Sequence, residues 1–140
     1  MATVIYNNII PLKGFQSITI LPFIFARKSA KWLKDYALNH ESIHLRQQLE
    51  VLILSAFIIA LLICLFDLLW WWMLVSLLVY YAWYGTEWLV RLAIYKDKNK
   101  AYRNIAVEQE AYNNQYDFTY LDNRKAFAWV RFIGKTTYKR

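Results

Sequence analysis

The hydrophobic positions of this chain concentrate in its middle, and polar positions flank them on both sides. Residues 51–66 carry no charge, Asp67 interrupts the run, and a second apolar run covers residues 68–90. Residues 23–84 contain neither Gly nor Pro, so nothing in that stretch prevents a long helix. The pattern predicts a mainly α membrane protein, with two transmembrane helices joined as a hairpin at Asp67.

Aromatic residues at both ends of the predicted second span fit this topology. Three tryptophans follow soon after Asp67, and a further group lies toward the other end: Tyr80, Tyr81, Trp83, Tyr84 and Trp88. Trp and Tyr concentrate at membrane–water interfaces because their rings combine apolar and polar surface. We therefore expect these residues to form two interfacial belts.

The first transmembrane helix is predicted to begin before its apolar run. The 16 residues from 51 to 66 fall short of the ~20 that a bilayer core requires, unless the helix extends on its N-terminal side or the bilayer is thin. Ser29, Asp35 and Asn39 could each cap such an extension. The predicted element covers residues 36–66.

The N-terminal residues 1–28 are predicted to form a small β-hairpin. Pro11 and Gly14 mark a turn, and residues 17–27 are rich in strand-forming side chains. Pro22 has no amide hydrogen, so it restricts this run to a sheet edge or interrupts it. The simplest role of the hairpin is to cover the core.

An exposed edge in that hairpin would also offer a place to bind a peptide. Strand addition uses main-chain hydrogen bonds and therefore tolerates many peptide sequences. On this interpretation three residues are candidate substrate-binding positions: Ile18, Thr19 and Ile20.

Polar sequence returns after the second apolar run, and two more helices are predicted there. Residues 97–115 have helical spacing, and residues 119–133 form a last helix that Asp122 caps. The length of 140 residues is that of one domain, so residues 1–140 form a single membrane-embedded unit.

Composition and charge strengthen the membrane interpretation. The hydrophobic fraction is 59%, and the net charge is +7, whereas soluble domains have an apolar share of about 45–50%. The basic residues flank the apolar runs and form no single stripe, which argues against a nucleic-acid partner and for a lipid bilayer. Six Lys and Arg precede the first span, eleven follow from Arg91 onward, and none lies in the connection. The positive-inside rule then predicts a multi-pass protein of a bacterial inner membrane with both termini in the cytoplasm.

The candidate chemistry lies in His40-Glu41-Ser42-Ile43-His44, which holds the only two histidines of the chain. Four residues advance a helix by about one turn, so both imidazoles lie on one face and can share a zinc ion. Glu41 lies beside them as a candidate general base. A catalytic zinc usually has a third protein ligand, which here must be a carboxylate or the single cysteine.

Helix geometry removes two candidates for that third ligand. Cys64 follows His44 by 20 residues on the same helix, which places it about 30 Å away. Glu50 follows by six residues and is therefore rotated by about 240° around the helix axis. Three glutamates remain: Glu87, Glu108 and Glu110.

The motif at 40–44, followed by Glu108-x-Glu110-Ala111, resembles the gluzincin-type membrane metallopeptidases, which include the HtpX-like, CaaX-prenyl and BlaR-type sensor peptidases. The resemblance implies a small zinc-dependent membrane metalloendopeptidase whose substrate is a peptide or membrane protein. It also implies that His40, His44 and Glu108 bind the metal and that Glu41 is the base. Separately from the resemblance, the distribution of Lys and Arg and the position of His44, seven residues before the apolar run, predict an active site at the cytoplasmic membrane surface.

The sequence departs from the pattern of this family at one position. Tyr112 stands where the family has an Asp that supports a ligating histidine; Glu110, Asn113 or Asp117 could replace it. An oxyanion donor is also needed, and no further histidine exists for it; the candidates are Tyr112, Tyr116, Arg103 and Arg124. The alternatives to a peptidase are a zinc-binding regulatory membrane protein and a structural membrane protein with a coincidental motif. A di-iron bundle is disfavoured because repeated Glu-x-x-His pairs are missing.

Overall fold

The computed structural model describes residues 3–11, 14–29 and 33–139. The chain is mainly helical with a small sheet at its N-terminal end, as the hydrophobic pattern predicts. Helix α1, Asp35–Phe66, begins within the predicted range and continues unbroken through both histidines and the first apolar run. Asp67 ends it in the left-handed region at a φ of 49°, which Asp tolerates better than most residues.

Helix α1 is the one helix, among those described, that is long and apolar enough to cross a membrane. Large apolar side chains are exposed along one side of it at every fourth position: Ile53, Phe57, Leu61 and Leu65. Its opposite side packs on helix α2, Ser76–Tyr95, after a tight 3₁₀ turn at Trp70–Val75. The predicted second span at 68–90 thus corresponds to a 3₁₀ turn and the larger part of α2.

The N-terminal sheet has three strands: β1, Thr3–Asn7; β2, Ser17–Ile20; and β3, Phe23–Arg27. Their order is β1-β3-β2, with β1 parallel and β2 antiparallel to the central β3. The predicted hairpin is wrong in its turn, because β1 and β2, on either side of Pro11 and Gly14, do not pair with each other. The hairpin that forms joins β2 to β3, and β1 adds to it as a third strand. Pro22 lies in the turn between β2 and β3 and not within either strand. Strand β3 therefore keeps all its amide hydrogens and can bond to β1 on one side and to β2 on the other.

The predicted helix at 97–115 is in fact two helices, α3, Lys98–Arg103, and α4, Ala106–Asn114. Asn104 separates them because its side chain binds the C-terminal segment. Its carbonyl oxygen accepts from the amides of Thr137 and Tyr138, each at 3.0 Å. This tertiary contact interrupts a segment whose local sequence favours a helix.

The predicted last helix at 119–133 is also divided, into α5, Tyr120–Asn123, and a 3₁₀ turn at Ala128–Phe132. Asp122 lies within α5 and does not cap a longer helix. Phe127 between them has a positive φ of 55° and donates its amide to Glu50 on α1. Contacts with α1 therefore override helical continuity here.

A buried hydrophobic cluster lies where α2, the start of α4 and the C-terminal 3₁₀ turn meet. It consists of Tyr80, Ile105, Ala106, Val107 and Trp129. Because α4 begins inside this core, its first turn is held against α1, and the polar side chains that follow are buried there.

Candidate metal centre

Three buried side chains converge between α1 and α4: His40, His44 and Glu108. The two histidine Nε2 atoms lie 3.1 Å apart. One Glu108 oxygen lies 3.4 Å from His40 Nε2, and the other lies 3.4 Å from His44 Nε2. Tetrahedral ligands at about 2.1 Å from zinc would lie about 3.4 Å from one another, so these spacings fit a shared metal ion.

The elements that carry these residues explain the convergence. His40 and His44 are one turn apart on α1, and their rings meet edge-to-face with centroids 4.8 Å apart. Glu108 lies in the first turn of α4, which the core holds against α1. The structure thus brings together the three residues that the resemblance selects as ligands.

The electrostatics of these three side chains favour a positive charge between them. Burial alone would lower the pKa of His44, but the Glu108 carboxylate outweighs it and raises this pKa to about 9. Burial would raise the pKa of Glu108, yet the two imidazoles hold it well below its usual range. The carboxylate is therefore ionised, and a proton or a metal cation can neutralise it.

Two tyrosines of α2 complete the walls of this group, and sequence reasoning missed them. The Tyr84 hydroxyl donates to Glu108 Oε1 at 2.8 Å, and the Tyr80 hydroxyl lies 3.4 Å from His44 Nδ1. Both were expected in an interfacial belt, but Tyr80 is buried. Their i,i+4 spacing places them on one face of α2. This spacing was the feature of the sequence that could have indicated a shared position beside the histidines.

Glu41 lies on the side of α1 that faces the sheet. The Ser17 hydroxyl donates to its Oε1 at 2.7 Å, and the Thr19 hydroxyl donates to its Oε2 at 2.6 Å. The candidate base is therefore tied to β2, the strand expected to bind substrate. Thr19 is buried by this contact, whereas Ile18 and Ile20 are exposed.

Strand β2 is an edge strand, and Gln48 of α1 occupies part of its free edge. The Gln48 amide donates to the Thr19 carbonyl at 2.8 Å and accepts from the Leu21 amide at 2.9 Å. The Gln16 carbonyl accepts from the Arg27 amide, so the main chain of Gln16 faces β3. Because this direction alternates along a strand, the main-chain groups of residues 17, 19 and 21 face away from β3. An added peptide could still reach the Ser17 main chain and the Thr19 amide.

The residues that were considered as support for a ligating histidine or as oxyanion donors differ in how close they lie to the candidate metal group. The Tyr112 and His40 rings meet edge-to-face with centroids 4.6 Å apart, and the Arg103 guanidinium lies 4.4 Å from the centre of the Tyr112 ring. Both residues are therefore near the group, but Tyr112 contacts His40 through ring packing. Tyr116 is exposed and packs on Tyr36 with the two rings tilted, and Arg124 pairs with Glu50 and Glu110.

The remaining carboxylates that were considered as ligands have other partners. Glu87 accepts from Arg91 at 2.7 and 2.8 Å and from the Ala106 amide at 3.0 Å. Glu110 is fully buried and pairs with Arg124, and Glu50 binds the same arginine. These contacts leave Glu108 as the carboxylate beside the histidines.

No protein-family model, curated protein or solved structure matches this chain. The case for its function therefore stands on the motif of α1 and on the geometry around Glu108.

Proposed function

We propose that this protein is a zinc-dependent membrane metalloendopeptidase that hydrolyses peptide bonds near the cytoplasmic membrane surface. The observation that carries the proposal is the convergence of His40, His44 and Glu108, with Glu41 one residue after the first histidine. Two imidazole nitrogens and one carboxylate form a donor set typical of catalytic zinc, which leaves a fourth position open. The burial of all three side chains gives the low-dielectric setting that such chemistry uses.

The proposed reaction divides its tasks among a few side chains. His40, His44 and Glu108 would hold the metal, which would supply a lowered pKa for a water and polarisation of the scissile carbonyl. Glu41 takes a proton from the attacking water on a carboxylate oxygen and returns it to the leaving amine. Tyr112 and Arg103 are the nearest of the candidate groups for stabilising the oxyanion, since Tyr112 packs on His40 and Arg103 packs on Tyr112.

The substrate would be an extended peptide, or an extended segment of a membrane protein, that pairs with the free edge of β2. The exposed side chains of Ile18 and Ile20 would contact it, and Thr19 would offer its amide. Gln48 shortens this edge, so pairing extends over few residues. Short pairing favours flexible segments over folded partners.

The proposed location is a bacterial inner membrane crossed twice, by α1 and by the chain from the tryptophan turn through α2. The exposed apolar face of α1 supports lipid contact, because water would not stabilise so many unpaired apolar side chains. His44 precedes the apolar run by seven residues, which is about 10 Å along a helix. The active site would therefore lie at the membrane surface, on the cytoplasmic side that the distribution of Lys and Arg predicts.

A second candidate function is a zinc-binding membrane protein without peptidase activity, in a regulatory or interaction role. The observation that favours it is the pairing of both Glu41 oxygens with the Ser17 and Thr19 hydroxyls. In that case Glu41 would fix the sheet on α1, and the metal would stabilise the fold.

Metal analysis of the purified protein in detergent tests the zinc site directly. We expect the wild type to hold one zinc ion per chain, and His44→Ala and Glu108→Ala to lose it after gel filtration, because two ligands bind zinc far more weakly than three. Asp122→Ala, an exposed acid outside the site, is the matched control and should retain zinc. A wild type that holds far less than one zinc ion would exclude both candidate functions.

Chelation tests whether the zinc site is a peptidase. We expect a membrane-tethered, unfolded substrate to be cleaved by the zinc-loaded protein, and a chelator to stop cleavage until zinc is restored. Zinc-loaded protein that leaves such substrates intact would support the second candidate function.

The affinity for zinc should rise with pH. Because Glu108 raises the pKa of His44 to about 9, a proton must leave His44 when zinc binds at neutral pH. The apparent affinity is therefore expected to increase about tenfold per unit between about pH 7 and pH 9, and to level off above. Competition with a chelator of known proton dependence measures this slope, and a flat profile would contradict it.

A further inference from the structure

Gln47 is fully buried on α1 and lies between the candidate metal group and a second cluster of charges. Its Nε2 donates to the Val107 carbonyl at 3.0 Å and to Glu110 Oε2 at 2.9 Å. Its Oε1 lies 2.8 Å from His44 Nδ1. Among the described residues, no other side chain makes hydrogen bonds to both His44 and Glu110.

The partners of Gln47 fix which way its amide points. A main-chain carbonyl accepts hydrogen bonds and cannot donate them, and the same is true of an ionised carboxylate. Both oxygens of Glu110 accept hydrogen bonds from the Arg124 guanidinium, so Glu110 acts as an acceptor here. The Gln47 amide must therefore turn its NH₂ group toward Val107 and Glu110 and its oxygen toward His44. The opposite orientation would leave an oxygen facing two acceptors.

The orientation of Gln47 determines the role of each nitrogen of His44. The Gln47 oxygen is an acceptor, so His44 Nδ1 must carry a proton to form the contact. The lone pair for a metal is then on Nε2, the atom that faces His40 and Glu108. We propose that Gln47, oriented by Glu110 and Arg124, is a positioning residue that fixes His44 in the tautomer and ring orientation that bind zinc.

This inference rests on the proposed zinc site and adds residues to it. In the family pattern an Asp at the position of Tyr112 would support a histidine. In this chain the hydrogen bond to His44 comes from Gln47, three residues later on α1. Gln47 is held in turn by Glu110 of α4, which pairs with Arg124 directly after α5. Glu110, which sequence analysis considered for the support of a ligand, thus acts through Gln47.

The first test compares zinc affinity in Gln47→Met and Gln48→Met proteins by chelator competition in detergent. Gln48 is the matched control because it is also buried on α1 but bonds to β2. We expect Gln47→Met to weaken zinc binding by about 10- to 100-fold, and Gln48→Met to remain near the wild type.

A spectroscopic measurement on the wild type keeps the inference testable if Gln47→Met fails to fold. In zinc-loaded protein with ¹⁵N-labelled histidine, we expect the proton of His44 on Nδ1 and the metal on Nε2. The reverse arrangement, or unchanged affinity in a folded Gln47→Met protein, would overturn the role of Gln47 while leaving the zinc site intact. A wild type that binds no zinc would instead overturn the proposed function itself.

Discussion

Replacing Glu41 with Gln is expected to slow zinc-dependent peptide hydrolysis by about 10²- to 10⁴-fold while zinc remains bound. The amide of Gln has nearly the shape of the carboxylate but cannot take a proton from water. The proposed metal ligands are His40, His44 and Glu108, so the zinc content should not change. Turnover of a membrane-tethered substrate and zinc analysis of the same preparation measure both quantities. Asp122→Asn makes the same chemical change at an exposed acid and should retain full activity.

The contacts of Glu41 with β2 allow the catalytic role to be separated from a structural one. Ser17→Ala with Thr19→Val removes both hydroxyls and leaves the carboxylate in place. If Glu41 is the base, this double variant should lose much less activity than Glu41→Gln. If Glu41 only fixes the sheet, both variants should destabilise the protein alike in thermal unfolding. Full zinc-dependent cleavage by Glu41→Gln would sink the assignment of the base.

The parts of this structure that sequence reasoning could predict are those that local geometry determines. The absence of Gly and Pro over residues 23–84 permits the unbroken α1, and the four-residue spacing of His40 and His44 places both on one face of it. The same geometry correctly excludes Glu50, which rotates away from the histidines and pairs with Arg124. These features need no knowledge of how distant segments pack.

The parts that could not be predicted depend on contacts between distant segments. Spacing left Glu87, Glu108 and Glu110 open as the third ligand, because only the packing of α4 on α1 decides which one meets the histidines. The break at Asn104 is set by the C-terminal segment that its side chain binds, 33 and 34 residues later. Local propensity carries no information on such partners.

Replacing Arg124 with Met is expected to lower the free energy of unfolding by about 3–5 kcal/mol, because it leaves a buried carboxylate without its cation. The Glu110 side chain is completely buried, and Arg124 is 3% exposed while it pairs with both Glu110 and Glu50. Met keeps most of the apolar stem of Arg, so the lost charge is the main change. Denaturant unfolding of the metal-free protein in detergent, followed by circular dichroism, measures the effect.

Two further variants show whether the buried charge causes this loss of stability. Arg131→Met makes the same substitution at an exposed arginine of the same segment and should change stability little. Adding Glu110→Gln to Arg124→Met removes the uncompensated charge, so part of the lost stability should return. If the double variant is as unstable as the sum of the single ones, the charge of Glu110 is not the cause. Arg124 holds Glu110, and Glu110 orients the Gln47 amide that bonds to His44. We therefore expect Arg124→Met to weaken zinc binding as well as to lower the free energy of unfolding.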